Sequence, residues 1–246
     1  QTGVVFFIEA MNFMQVSNYY GHETGNKLLN AIVEELKEIV SENCLVVRYT
    51  ESTFVIICTN ICIEQANIDN YISKLSDFAT SFYEIGDLNL QIDKRIGYSV
   101  YPDDTERFED TISLASIALK EATSKSAFEI TRFDMQMKAD LKQNIEIANK
   151  LNDALDEEII EVYFQKAINC SNNEIFVIEE LSRWHDKDLG FIPPNVFFKI
   201  AKETNQLYRL DRYMVQRSLH SFAKLRRIDP LYINAKLTIN ISPTTL

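Results

Sequence analysis

A glutamate closes an apolar run at Ile178-Glu179, and an arginine follows at Arg183. Much later a second oxygen donor, Asn240, lies within the short run Ile239-Asn240-Ile241. Carboxylate and amide oxygens are hard donors of the kind that Mg²⁺ and Mn²⁺ take. A guanidinium fork suits the paired oxygens of a phosphodiester. These residue types together could support metal-assisted cleavage of such a bond. None is diagnostic by itself. An acid at the end of a strand is often just solvated, and an Asn more often satisfies a turn. Trp184 reads as a packing residue, and His185 and His220 as surface residues. Cys58 and Cys62 bracket a short segment, but no further Cys or His pair completes a zinc set.

The chain that must position these groups has 246 residues, 46% of them hydrophobic. That suffices for a real core in one or two domains. The formal charge is −11 and the isoelectric point about 4.8. A nucleic-acid polymer is therefore a disfavoured partner, because its backbone calls for a basic face. A small nucleotide held through divalent cations remains compatible with an acidic chain. The four cysteines, Cys44, Cys58, Cys62 and Cys170, are read as reduced, mostly buried thiols. They imply a cytoplasmic chain, or the cytoplasmic part of a membrane-anchored protein. No stretch approaches the ~20 apolar residues of a membrane span, and no signal peptide is visible. The first residue is Gln1 rather than Met, so the expectation is a segment of a longer protein.

Apolar residues 4–8 read as a buried strand. Leu28, Leu29, Ile32, Leu36 and Ile39 recur at helical spacing with Glu34, Glu35, Lys37 and Glu38 outside, predicting a helix over 23–40. Apolar runs at 45–49 and 54–58 flank Thr50-Glu51-Ser52-Thr53 and predict a hairpin whose turn lacks Gly or Asn. Ile68, Tyr71, Ile72, Leu75, Phe78 and Phe82 predict a second helix. Residues 88–101 read as one strand bent near Gly97 and ended by Pro102. Ile112, Ala115, Leu119 and Ala122 mark a third helix, and 127–132 a short strand. Strands interleaved with helices indicate an α+β or α/β layer fold. A charged helix over 134–155, without Gly or Pro, reads as a connector. Beyond it come strands at 161–168 and 174–180, divided by an Asn/Ser turn cluster. Helices at 195–203 and 209–226 and a strand at 237–241 complete the chain.

In residues 1–133, Phe13, Tyr20-Gly21-His22-Glu23-Thr24-Gly25-Asn26, Leu28-Leu29, Arg48-Tyr49, Phe54, Ile96-Gly97 and Tyr101-Pro102 occur in an order that resembles a GGDEF domain, the diguanylate cyclase fold. The resemblance implies an antiparallel-centred sheet flanked by helices. It also exposes what has changed. Condensing two GTP molecules needs carboxylates on Mg²⁺ and neutralised phosphates. The family hairpin Gly-Gly-Asp-Glu-Phe is here Thr50-Glu51-Ser52-Thr53-Phe54. The glycines that let backbone approach phosphate are gone, and Ser52 and Thr53 replace the acidic pair. Glu9 stands at the first metal position, and Met14 and Thr123 stand where lysines are usual. Ser17 and Asn26 occupy the guanine-reading positions. Ser41-Glu42-Asn43-Cys44 replaces the Arg-x-x-Asp motif of product inhibition. The expectation is a domain without cyclase activity, serving as a regulatory or dimerising module that contacts a second copy or a partner protein.

Residues 156–246 carry Tyr163-Phe164-Gln165, Glu179-Glu180-Leu181-Ser182-Arg183-Trp184, Gly190, Ile192-Pro193, Phe197 and Asn240. They resemble the first part of an EAL domain, a TIM-like barrel that hydrolyses cyclic di-GMP to linear pGpG with two metal ions. The resemblance implies that Glu179 and Asn240 bind Mg²⁺ or Mn²⁺. It implies that Gln165 and Arg183 contact cyclic di-GMP, Arg183 at a phosphate, and that Leu181 packs beside the nucleotide. Departures are Lys166 for Pro, Glu180 for a small Ala, and Lys202 for the usual Glu. Glu180 is expected to add a charge beside Glu179. A closed barrel takes about 250 residues, so this segment alone is expected to leave an open apolar sheet face and to lack the later ligands. Two readings of the longer protein stay open: a phosphodiesterase, and an inert receptor or scaffold.

Overall fold

The computed structural model describes residues 2–59, 65–122, 130–172, 174–243 and 245, the side chains of 65–67 excepted. The chain divides into two compact units, residues 1–141 and 142–246.

The first unit runs β1 (Gly3–Ala10), α1 (Phe13–Tyr20), α2 (His22–Ile39), β2 (Cys44–Arg48), β3 (Thr53–Thr59), α3 (Gln65–Phe78), β4 (Phe82–Ile85), β5 (Leu88–Gln91), β6 (Lys94–Tyr101), α4 (Phe108–Ala122) and β7 (Ile130–Arg132). A further helix, α5 (Met135–Asp156), runs on into the second unit. The sheet order is β2-β3-β1-β6-β7. The strand β1 is antiparallel to both β3 and β6, and β7 is parallel to β6. The near-continuous apolar sequence of β1 explains its central place, since both of its faces are covered. On one face Phe6, Ile8, Phe54 and Ile56 pack with Leu28, Leu29, Ile32 and Leu36 of α2. On the other, Val5, Phe7 and Val55 meet Ala115 and Leu119 of α4. That second layer requires Gly97, because a Cβ there would lie 1.9 Å from the Leu119 backbone nitrogen.

Two features depart from the pattern read in the sequence. Residues 88–101 are not one strand. The strand β5 pairs with β4 in a separate hairpin, and β6 starts at Lys94. Phe82, read as helical, opens β4 after α3 has ended at Phe78. Alternation ran on through Ile92 and concealed the break, which is held by bonds from the Ile92 and Lys94 amides to the carbonyls of Ser81 and Ala79. Lys94 itself is buried, 1% exposed. Its ammonium donates to the carbonyls of Phe78 at 2.7 Å and Ile92 at 3.2 Å. It also sits over the Phe78 ring, 4.2 Å from the centroid. Desolvation lowers its pKa to about 8, against the opposing charges of Glu35 and Asp93.

The cysteines also differ from the expectation of reduced thiols. Cys44 and Cys58 form a disulfide across β2 and β3, and Cys170 is free and exposed. Register explains the pairing. The two residues are directly opposed in the hairpin, with Cα atoms 4.1 Å apart, which spacing along the chain does not reveal. Cys62 lies outside the described residues. The argument from thiols to a reducing compartment therefore loses two of its four cysteines. Among the described residues, no helix is long and apolar enough to cross a membrane.

The second unit continues from α5 with β8 (Glu161–Ile168), β9 (Ile175–Asp186), β10 (Gly190–Ile192), α6 (Pro194–Glu203), α7 (Leu207–Ile228), a 3-10 turn (Pro230–Tyr232) and β11 (Lys236–Thr238). The strand β9 is antiparallel to β8 and β10 and parallel to β11. Its core joins Ile147, Leu151 and Leu155 of α5 to Trp184, Phe197, Ile200, Leu210 and Met214. Trp184 is fully buried edge-to-face on Phe197, with centroids 5.7 Å apart. Lys150 of α5 donates to Asp186 at 2.8 Å and also to Asp188, tying the helix to the end of β9. The TIM-like barrel implied by the family resemblance is not closed among the described residues. They form an open four-stranded sheet, and eight strands are needed for closure.

Candidate metal and ligand site

Alternation along β9 sorts the motif into two faces. Ile178, Glu180, Ser182 and Trp184 are buried, whereas Glu179, Leu181 and Arg183 face the other way. Pairing with β8 places Gln165 directly opposite Glu179, and Tyr163 opposite Leu181. On the other side of β9, Thr238 of β11 pairs with Glu179. Asn240, expected on this strand, instead lies two residues beyond its end. Its amide Nδ2 donates to Glu179 Oε1 at 3.3 Å. Gln165 and Glu179 are thus paired across the sheet, and Asn240, beyond the end of β11, reaches Glu179 through its side chain.

Arg183 lies further along the same face. Its guanidinium is 5.7 Å from the centroid of the Tyr163 ring and donates to the Ser182 carbonyl at 2.8 Å. A ring beneath a guanidinium restricts it to a plane and leaves other N–H groups for an anion. A cavity of about 450 Å³ opens between β9 and the helices α6 and α7. Its wall takes Leu181 and Arg183 but also Glu180 and Ser182 of the buried face, with Lys199, Lys202, Asp211 and Asn240, and neither Glu179 nor Gln165 lines it.

Glu180 does not share the face of Glu179, although the two carboxyls still interact electrostatically. Neighbouring strand residues point to opposite faces, and Glu180 is 2% exposed with Ser182 Oγ donating to it at 3.0 Å. Burial raises its pKa against that hydrogen bond, and the nearby Glu179 charge pushes it the same way as burial. His185 is exposed, with its ring centroid 5.1 Å from that of Phe191.

The donor set suits a hard divalent cation in part. Glu179 and Asn240 offer one anionic and one neutral oxygen, with no competing thiolate. Among the described residues no group of three or more His, Cys, Asp or Glu side chains converges on a metal position. Two oxygens alone are fewer than the six that Mg²⁺ takes. Sequence reading missed Tyr163, Lys199 and Asp211. Tyr163 was within reach of it, since it alternates in phase with Gln165 on β8. Asp211 carried no signal beyond being an acid early in a helix.

In the first unit, Glu9 near the end of β1 lies between Thr53 of β3 and Arg95 of β6. The turn at 50–53 is closed on itself. Thr50 Oγ1 accepts from the Thr53 amide at 3.1 Å, and Arg48 donates to the carbonyls of Thr50 and Glu51 at 3.1 and 3.2 Å. Ser17 is buried and meets His22 Nδ1 at 3.5 Å, whereas Met14 and Asn26 are exposed. Thr123 lies outside the described residues.

Comparison with known proteins agrees with both halves. The family model for the diguanylate cyclase GGDEF domain matches residues 1–127, and that for the EAL domain matches residues 148–246. The chain belongs to the GGDEF family and carries EAL-domain sequence behind it. It is 21% identical over 221 residues to the cyclic di-GMP phosphodiesterase NbdA of Pseudomonas aeruginosa, covering 90% of this chain and 28% of that protein. It is 22% identical over 246 residues to the cyclic di-GMP phosphodiesterase PdeR of Escherichia coli, covering all of this chain and 36% of that one. The chain thus spans about a third of the length of these relatives. Among solved structures, the Vibrio cholerae LapD S helix-GGDEF-EAL fragment, bound to c-di-GMP, aligns with a TM-score of 0.56 at 16% identity. That alignment covers 99% of this chain and 55% of the LapD chain, and at such identity it supports the fold.

Proposed function

We propose that this chain is part of a cyclic di-GMP signalling protein whose EAL domain binds cyclic di-GMP and hydrolyses it to linear pGpG. In this reading its GGDEF domain is a regulatory module that does not synthesise the nucleotide. The observation that carries the reading is the approach of Asn240 to Glu179 at 3.3 Å, on the face that Gln165 and Arg183 share. Glu179 and Asn240 would hold Mg²⁺ or Mn²⁺, which supplies Lewis acidity and a water activated for attack. Arg183, steadied on Tyr163, grips a phosphate through a charge-assisted fork. Gln165 contacts the ligand beside Glu179, and Leu181 in the cavity wall packs against a base.

A second reading is a receptor that binds cyclic di-GMP without cleaving it. Lys202 favours it, because this cation in the cavity wall attracts phosphates with no metal involved. Incubating the full-length protein with cyclic di-GMP and Mn²⁺ or Mg²⁺, and separating the products by chromatography, distinguishes the two. Formation of pGpG is expected. Binding without product would establish the receptor, and absence of both would remove cyclic di-GMP from the account.

A further inference from the structure

Asn240 sits two residues past the last strand residue of β11, so no ladder of backbone bonds fixes it. On its N-terminal side, Thr238 Oγ1 donates to the Ile178 carbonyl at 3.3 Å. On its C-terminal side the chain turns, with the Thr245 amide bonded to the Ser242 carbonyl at 2.9 Å. Both ends of that turn are held by one carboxylate. Asp211 Oδ2 accepts the Ser242 amide at 3.1 Å and also the Thr245 hydroxyl. Asp211 is 1% exposed, within the first turns of α7.

A carboxylate buried to this extent costs free energy unless donors compensate it. The donors to Oδ2 come from the segment that carries Asn240, whereas Oδ1 is buried without a partner. The helix presenting it is anchored in turn. Tyr213 donates to the Ile160 carbonyl at 2.8 Å, Arg217 pairs with Glu158 at 2.7 Å, and Arg209 reaches Asn152 at 2.7 Å and also Asp156. A continuous path of bonds therefore runs from α5 and the start of β8, through α7 and Asp211, to the 242–245 turn, then Asn240 and Glu179.

We infer that Asp211 is a positioning residue for the oxygen pair. It clamps the segment after β11 so that the Asn240 carboxamide stays beside Glu179. The inference rests on the reading of Glu179 and Asn240 as a divalent-cation pair, but the clamp itself can be tested without a ligand. Supporting partners of metal ligands commonly change affinity by about 10–100-fold when removed.

In the full-length protein, Mn²⁺ binding is measured by calorimetry for wild type, D211A, D211N, N240A and D211A/N240A. The expected result is a loss of about tenfold or more in D211A and a smaller loss in D211N, which keeps an accepting oxygen. D211A is expected to cost nothing further once Asn240 is gone. Unchanged Mn²⁺ affinity in D211A, or full additivity in the double variant, would overturn the inference. In parallel, amide hydrogen exchange is followed by mass spectrometry. Exchange over 240–245 should accelerate in D211A while 214–228 of α7 stays protected. Unaltered protection of 240–245 overturns the clamp. If α7 also loses protection in D211A, T245V, which removes the hydroxyl donor to Asp211 and leaves α7 unaltered, carries both comparisons, and wild-type behaviour there overturns it equally. If the wild type binds no Mn²⁺ yet D211A releases 240–245, the metal reading fails and the clamp stands.

Discussion

The Asn240 carboxamide donates to the Glu179 carboxylate at 3.3 Å although Glu179 lies within β9 and Asn240 beyond the end of β11. A carboxamide carries a donor and an acceptor on a torsion of roughly two-fold freedom. A half-turn presents the oxygen in place of the nitrogen and forms a pair of hard donors. The first prediction concerns that pair. In the full-length protein, E179Q and N240A should each weaken Mn²⁺ binding by on the order of tenfold or more, as measured by calorimetry. N240D, which keeps an oxygen at the position, should retain more affinity than N240A. Mn²⁺ affinity equal to wild type in both E179Q and N240A would contradict the assignment.

Arg183 invites a second prediction because its support is unusual. Its guanidinium lies over the Tyr163 ring of the neighbouring strand at 5.7 Å and donates to the Ser182 carbonyl, so the fork is held before any anion arrives. R183K keeps the charge but loses planarity and the paired donors. It should weaken cyclic di-GMP binding by about 1.5–3 kcal/mol, the range of hydrogen bonds to charged groups. Y163L should cost less, about 0.5–1 kcal/mol, by releasing the guanidinium from the ring. Titration of each variant with the nucleotide checks the ranking, and R183K binding as tightly as wild type would remove Arg183 from the contact set.

Much of the two-unit architecture was legible because its signals are periodic. The helices α2, α4, α5, α6 and α7 follow apolar residues at helical spacing, and the β2–β3 hairpin follows two apolar runs about a polar turn. The cues fail where tertiary pairing decides. Nothing local separates Gln91 from Lys94 as the ends of different strands, because the split depends on β4 pairing with β5. The opposition of Cys44 and Cys58 follows from register, which one missing or extra turn residue would change. At the candidate site, Glu179, Gln165 and Asn240 were readable as types; the sheet pairs the first two, and the segment after β11 brings Asn240 to Glu179. Asp211 was not readable, because its role consists of bonds to a turn some thirty residues downstream.

The hairpin of the first unit yields a third prediction. Ser52 and Thr53 bring no carboxylate to the turn, and Arg48 already holds the carbonyls of Thr50 and Glu51. Incubation of the full-length protein with GTP and Mg²⁺ should give no cyclic di-GMP above a blank. Restoring glycines and acids over 50–53 should also fail to produce it, because Met14 still occupies a position usually held by lysine. Measurable product from the unaltered protein would show that Glu9 and other groups suffice for the metals.

Lys94 supplies the last prediction, and its sign follows from burial. Desolvation lowers its pKa from 10.5 to about 8, partly offset by Glu35 and Asp93. Below pH 8 both folded and unfolded chains carry the charge, and the folded state bears the full cost of burying it. Between pH 8 and 10.5 the unfolded chain binds more protons, so stability rises with pH on account of this group. The neighbouring Tyr83 is buried and bonded to Glu35, both of which push its pKa upward. It opposes the trend only once unfolded tyrosine begins to ionise near pH 10. From pH 7 to 9.5 the Lys94 contribution should therefore grow by at most about 2 kcal/mol. K94M is close in volume and removes the titrating group, though it leaves the Ile92 carbonyl without its ammonium donor. Urea unfolding followed by the near-ultraviolet dichroism of tyrosine, at pH 7, 8.5 and 9.5, compares the two proteins. The stability of wild type relative to K94M should rise across this range. A difference that stays flat or falls would mean that the ammonium is stabilised in place by the Phe78 and Ile92 carbonyls and the Phe78 ring, and keeps its ordinary affinity for a proton.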